Sequence, residues 1–305
     1  ELVESFVGTP YAETTAALMA LRAMVTDEML ATRIGREIAA RRHPMPTWLT
    51  GLDQAQVEPD VWFLTHVLGD GANYFIGVAL PTGHALSALV YVDHNLGGVV
   101  KDAFVVPEPV AGLVNKAGTL IDNPAEQSLT RVDPATARAE IEAAIGLGVN
   151  LYPPLTSDSW PMARPLVEWM VRLLPVGGVA TDFREWSEQE LSEIAAAFFS
   201  SPFGSPVEDK DARCLLDSVL WFSTGYATGD PYRWSLVTVE LLLVDWFPRK
   251  VIADPAYLAK QPNLLRAYIR YCHDRRGIGA HLTADTLAAV DRYEQDYLQL
   301  INSDR

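Results

Sequence analysis

Between Val61 and Val106 the chain alternates apolar runs with turn residues, and outside that window its apolar residues recur at helical spacing. This contrast limits the fold more than any other feature. Val61–Leu64, Tyr74–Leu80, Ala85–Val92 and Val99–Val106 each have the length and composition of a strand. Pro81-Thr82-Gly83-His84 separates the second run from the third, and Asn95-Leu96-Gly97-Gly98 separates the third from the fourth. Pro presets the turn torsion, Asn bonds its own backbone, and Gly supplies positive φ. Strands joined by loops this short pair antiparallel, because a parallel pair needs a crossover of a dozen residues. The sequence therefore predicts a meander over about 60–106. Its turns, closed as read, set Leu80 against Ala85 and His94 against Val99, with Tyr91 opposite Asp102 and Val92 opposite Lys101.

Elsewhere the pattern is helical. From Tyr11 to Arg42, Leu18, Leu21, Met24, Val25, Met29, Ile34 and Ile38 keep close to a 3.6-residue period, and Thr26-Asp27 can open a second helix inside the stretch. Arg41, Arg42 and His43 lie where the helix dipole favours cations, and Pro44 stops the helix. Asp133 caps a helix that Pro134 begins and Gly146 or Gly148 ends. Tyr152-Pro153-Pro154 reads as an extended link, Trp160–Leu174 as a helix entered through Ser159, and Val176-Gly177-Gly178 as a domain boundary. Beyond it, Ser187–Glu190 is a capping box. Further helices are expected over Lys210–Ser223, over Ser235–Trp246 ending before Pro248, from Pro255, from Pro262 to Gly277, and from a Thr283 cap to about Ile301. The expected fold is α+β. A small antiparallel sheet with covering helices occupies residues 1–178 (sheet about 60–106), and an all-α helical domain occupies 179–305.

The 305 residues carry 24 basic and 39 acidic side chains, a net charge of -15. Nucleic acid and anionic membrane surfaces both demand a surplus of Lys and Arg, so neither is an expected partner. No apolar run approaches the roughly 20 residues of a membrane span. The opening residues show no basic stretch followed by an apolar one, so a cytoplasmic location is expected. Cys214 and Cys272 are too few for a disulfide framework or a zinc knuckle and read as two buried thiols in a reducing compartment. Nothing in the sequence fixes the oligomeric state.

Two stretches, YVDHNLGGVVKDAF at 91–104 and SLVTVELLLVDWFPRKVIADPAYL at 235–258, resemble uncharacterised proteins of the actinobacterial type. The abundance of Ala, Arg, Asp and Val, with few Lys and Asn, is similar to that source. The resemblance touches about forty residues, implies no activity and transfers no catalytic residue.

Three constellations invite a chemical reading. In the first, His94 would be a general base, with Asp93 or Asp102 on its second ring nitrogen, in a hydrolase or other acid–base enzyme. Strand alternation sends Asp93 and His94 to opposite faces, however, and Asp, Asn and Gly-Gly are turn formers, so the hairpin-end reading ranks first. In the second, His66, Asp70, His84 and His94 would hold a metal. No HExxH is present, and His84 and His94 lie at opposite ends of a strand spanning more than about 20 Å, so no metal is expected. Gly69-Asp70-Gly71 and Gly146-Leu147-Gly148 lack the Lys-Ser/Thr of a phosphate loop, no GxSxG is present, and no cofactor is expected.

The third is a loop rich in interface residue types. Tyr226, Tyr232, Arg233 and Trp234 crowd residues 225–235, and Trp246 and Arg249 follow one helix later. Trp234 and Trp246 can equally staple a helix and cover the core. Arg266, Arg270, Arg275 and Arg276 read as a solvated face. The favoured function is a non-enzymatic cytoplasmic protein-interaction or regulatory module. It would meet a protein partner through 226–250 and the 93–102 turn, with the His94 enzyme as the alternative.

Overall fold

All four apolar runs are strands, and two further strands join them. The computed structural model describes residues 2–81, 83–95, 97–149, 151, 156–181 and 184–302. Thr82 and Leu96 in the two turns, and the Tyr152-Pro153-Pro154 link, lie outside the described residues. The strands are β1 (Gln56–Val57), β2 (Val61–His66), β3 (Gly71–Ala79), β4 (Ala85–Asp93), β5 (Val99–Val106) and β6 (Gln127–Val132). The sheet runs β5-β4-β3-β2-β6, and β1 pairs antiparallel with the end of β3, Gln56 against Ala79. The central strand β3 buries Tyr74, Phe75, Ile76 and Val78, an unbroken apolar run because both its faces are covered. One covering element is α5 (Val110–Thr119), whose Val110, Leu113 and Val114 pack on Phe75.

Both turns close one residue away from the sequence reading. Leu80 N–H donates to the His84 carbonyl at 2.8 Å, so the first hairpin closes one residue earlier than a Leu80–Ala85 pair. Gly83, at φ 79°, supplies the left-handed residue that such a loop needs. In the second hairpin Gly98 N–H donates to the Asp93 carbonyl at 3.1 Å, displacing the expected His94–Val99 closure; Gly97 and Gly98 both have positive φ. Two elements carry no clear sequence signal. In β6 only Leu129 and Val132 are apolar, enough for an edge strand with one wet face. The α5 helix follows Pro109 directly, in a stretch that the strand pattern leaves unassigned.

The helices are α1 (Leu2–Val7), α2 (Ala12–Met24), α3 (Glu28–Ala40), α4 (Thr47–Thr50), α5, α6 (Pro134–Val149) and α7 (Ser159–Leu173). Then come α8 (Glu188–Phe199), α9 (Lys210–Gly225), α10 (Leu236–Glu240), α11 (Phe247–Lys250), α12 (Pro255–Leu258), α13 (Gln261–Arg276) and α14 (Ala280–Asn302). The caps follow sequence chemistry. Asp27 accepts from Met29 and Leu30 N–H, Ser187 and Glu190 close a capping box, and Gly277 ends α13 in the left-handed conformation. Three ends differ from expectation. The α6 helix runs through both Gly146 and Gly148, where added Cβ atoms would meet open space. Between α10 and α11 the residues Leu241–Trp246 form a π-helix, and the helical path continues past Pro248. Pro248 sits in the first turn of α11, where its missing N–H costs least. The last helix starts at Ala280, and Thr283 is not its cap: Thr283 Oγ1 donates back to the Gly279 carbonyl.

The chain is α+β, with its sheet in the N-terminal region and helices throughout the C-terminal region. It divides into two interleaved compact units. One comprises Glu1–Thr65, Asn73–Val92 and Val100–Thr181. The other comprises His66–Ala72, Asp93–Val99 and Asp182–Arg305, so the β2–β3 and β4–β5 turns are grouped with the later helices. Among the described residues no helix is long and apolar enough to cross a membrane. Cys272 is buried, but Cys214 is exposed on α9, contrary to the expectation of two buried thiols.

Gly178 is part of the packing. A Cβ there would lie 2.1 Å from the backbone of Ala135, whereas at Gly177 (φ 99°) nothing lies within 4 Å. Gly178→Ala is therefore expected to lower stability by about 1–3 kcal/mol through backbone overlap. Gly177→Ala is expected to cost about 1 kcal/mol through torsion alone. Urea denaturation of the two variants measures the difference.

Candidate functional site

In the second unit the two sheet turns meet the loop before α10, and this is where the residues singled out in the sequence converge. Gly69 holds φ 75°, and its carbonyl accepts from His94 Nδ1 at 3.2 Å and from Arg233 Nη1 at 3.3 Å. Because a carbonyl only accepts, Nδ1 of His94 carries the proton. A Cβ at position 69 would stand 2.6 Å from Arg233 Cζ and Nε. The Gly69-Asp70-Gly71 motif thus serves close approach by a guanidinium and not a phosphate. The next residue is the hub. Asp70 Oδ1 accepts from Ser235 Oγ at 2.5 Å and from Asn95 Nδ2 at 3.1 Å, and the Asp70 carbonyl accepts from His94 N–H at 2.9 Å. Ser235 Oγ in turn accepts from Val237 and Thr238 N–H and caps α10.

These contacts bear on the acid–base reading. Asp93 is buried, and its Oδ1 accepts from Asn95 N–H at 2.9 Å, the local bond of an Asx turn. Asp102 belongs to the first unit, where it takes the hydroxyls of Ser157 at 2.7 Å and of Ser159. Burial pushes its carboxyl up, but bonds from Ser159, Ser157 and the Ala103 N–H outweigh it and hold the carboxyl below its ordinary value. Both carboxylates proposed for His94 thus have structural duties: Asp93 closes a turn, and Asp102 ties the start of α7 to β5. Ser235, fully buried and already both donor and acceptor, is not a nucleophile in waiting. His66 Nδ1 accepts from Leu68 N–H, and among the described residues no group of three His, Cys, Asp or Glu could hold a metal ion.

The loop itself is bound to α13. The Pro231 carbonyl accepts from Trp234 Nε1 and Tyr268 OH, both at 3.1 Å, and faces Cys272 Sγ. Asp230 pairs with Arg276 at 2.8 Å and accepts from Tyr232 N–H. The Trp234 carbonyl accepts from His273 Nε2 at 3.0 Å, and Nδ1 of the same ring meets Thr283 Oγ1. Two polar atoms of the knot, Asn95 Oδ1 and Arg233 Nε, are buried without a hydrogen-bond partner.

This packing buries two of the residues expected at an interface. Trp234 and Trp246 are both 1% exposed and lie in the core of the second unit. Trp234 stands 6.1 Å from Tyr268, and Trp246 stands 5.4 Å from Phe222, each ring edge-on to its neighbour. Tyr232 is half-buried under the Arg275 guanidinium, and Arg249 is exposed but paired with Asp245. Only Tyr226, 40% exposed, keeps a large free aromatic surface. A larger one went unrecognised in the sequence: Trp221 on α9 is 57% exposed, and its ring stands edge-on to Trp246 at 4.9 Å. Its signal was helical phase. Leu215, Leu216, Val219, Leu220 and Phe222 form the buried stripe of α9, and Trp221 falls four residues after the exposed Asp217, on the polar face. A cavity beside the N-terminus of α9 is lined by Glu208, Asp209 and Lys260, and Lys260 there pairs with Asp209 and Asp211.

No family model matches the chain, and no curated protein or solved structure matches it.

The Asp70–Ser235 bond is charge-assisted and partly buried. A double-mutant cycle on Asp70→Asn and Ser235→Ala, read by chemical denaturation, is expected to give a coupling of about 1–3 kcal/mol. Burial pulls His273 below the ordinary imidazole value, against the bond to the Trp234 carbonyl. The unfolded chain then binds the proton more readily than the folded one. The stability from neutral His273 is complete above about pH 6.5 and is lost as pH falls through the lower folded value. His273→Gln is expected to shrink the loss of stability between about pH 7.5 and about pH 5, measured by urea midpoints.

Proposed function

We propose that this chain is a non-enzymatic protein-interaction module whose contact surface is the exposed face of α9, with Trp221 and Tyr226 as its anchors. One observation carries this reading: Trp221 exposes 57% of its surface yet is seated against the buried Trp246. An exposed indole is costly in water, and one already held by its neighbours loses little further freedom on binding. Aromatic anchors of this kind supply most of the energy in protein interfaces. Tyr226 extends the same surface, with its ring 6.0 Å from Phe222 and 6.4 Å from Trp246. A cytoplasmic setting agrees with two cysteines that remain unpaired. The acid–base alternative gains no support from the bonds that Asp93 and Asp102 make.

The test is capture of a partner by the tagged protein from its host, followed by titration with that partner in purified form. Trp221→Ala is expected to weaken the complex by about 2 kcal/mol or more, roughly thirtyfold in Kd. Ile252→Ala, which trims another highly exposed apolar side chain, is expected to leave it unchanged within about twofold. Equal affinity of the Trp221→Ala protein would remove the reading.

A further inference from the structure

The exposed face of α9 carries an acidic group whose natural counter-ion is engaged elsewhere. Asp217 lies one turn before Trp221, and side chains four apart on a helix are neighbours. Arg213, one turn before Asp217 and the obvious helical partner, turns away. It pairs with Glu208, and its Cζ lies 4.9 Å over the Phe199 ring. Asp211 is likewise satisfied, by Lys260 at 2.7 Å. The Asp217 carboxylate makes no hydrogen bond or ion pair among the described residues. Burial pushes its carboxyl above the ordinary value, and the charge of Arg213 acts against this. The phenol of Tyr257 on α12 feels the same charge. A carboxylate without a counter-ion beside an exposed indole is a site for a cation, because the ring face and the carboxylate attract the same charge.

We propose that the α9 face receives a basic segment of another protein, a Lys or Arg side chain lodging between the Asp217 carboxylate and the Trp221 ring. This rests on the interaction reading above and names the chemistry of its partner. Charge selects the occupant. The chain carries a net charge of -15, so a second copy would bring like charge, whereas a basic segment is drawn to it.

The test is a titration of the full-length chain into a dye-labelled hexa-arginine amide, read by fluorescence anisotropy. Asp217→Asn is expected to weaken binding roughly five- to tenfold, and Trp221→Leu, which keeps an apolar side chain but removes the ring, by a similar factor. Asp285→Asn removes the same charge from an exposed site on α14 and is expected to change binding by less than about twofold. Equal weakening by Asp217→Asn and Asp285→Asn would show diffuse attraction to an acidic protein and overturn the proposal, as would unchanged binding by the Asp217→Asn protein. The two readings fail separately. A captured partner lost on Trp221→Ala but retained by Asp217→Asn leaves the interaction surface standing and removes its cationic specificity. A partner indifferent to both removes the surface itself.

Discussion

The Asp70 carboxylate is the group on which the second unit depends. One oxygen takes the Ser235 hydroxyl, which caps α10, and the Asn95 amide, which belongs to the turn after β4. Through a single acidic side chain, two segments from the sheet region and the start of a core helix share one set of bonds. Hydrogen bonds to an ionised acceptor are about twice as strong as neutral ones, and partial burial strengthens them further. Removing the carboxylate would leave a buried hydroxyl and a buried amide to find new partners, which costs more than the bonds themselves contribute. The grouping of His66–Ala72 and Asp93–Val99 with the later helices follows from these contacts.

The Pro231 carbonyl plays the same part for the aromatic core. It collects the Trp234 indole N–H, the Tyr268 hydroxyl and the Cys272 thiol, groups that would otherwise carry unsatisfied donors into an apolar interior. Large rings can then be buried whole: Trp234, Trp246, Tyr268 and Tyr297 are among the largest fully buried side chains. The same packing explains why an aromatic-rich loop is a poor predictor of an interface. Tyr and Trp are favoured at both places for the same reason, a large apolar body with one polar handle, and only the position of a hydrogen-bond acceptor decides between them.

Much of the fold is legible in the sequence because it is written in local chemistry. The four apolar runs, the Asp27 and Ser187 caps, the Pro134 start and the Gly277 stop each act within a few residues. What escapes is set by distant neighbours. The β6 edge strand needs only one apolar face, so its pattern is faint. Asp70 and Ser235 lie 165 residues apart, and no spacing rule links them. His94 and Asp102 look like a catalytic pair because they flank one turn, yet their hydrogen bonds run to Gly69 and to Ser157 and Ser159 respectively. Trp221 was readable in principle, since counting four residues on from Asp217 puts it on the wet side of α9, but a lone Trp in an apolar helix looks like core.

A polar knot is an expensive way to hold a turn. Among the described residues Asn95 Oδ1 and Arg233 Nε are buried with no hydrogen-bond partner; Arg233 Nε still faces Asp230 Oδ2 at 3.9 Å, whereas the amide oxygen costs about 1–3 kcal/mol. An apolar contact of the same size would stabilise more, but it would specify less. Hydrophobic contact tolerates small shifts of distance and angle, whereas Asp70 accepts from Ser235 and Asn95 only when the β2–β3 turn, the β4–β5 turn and the cap of α10 are all in place. Gly69 adds a steric condition, since its φ of 75° and the guanidinium packed against it admit no side chain. The knot therefore exchanges stability for a single arrangement. That arrangement extends to the core, because Ser235 and Trp234 are consecutive residues: fixing the cap of α10 fixes the indole beside it. Trp234 packs on Phe222, Phe222 on Trp246, and Trp246 on the exposed ring of Trp221. The surface proposed to meet a partner is in this sense the outermost ring of a stack whose innermost member is set by Asp70.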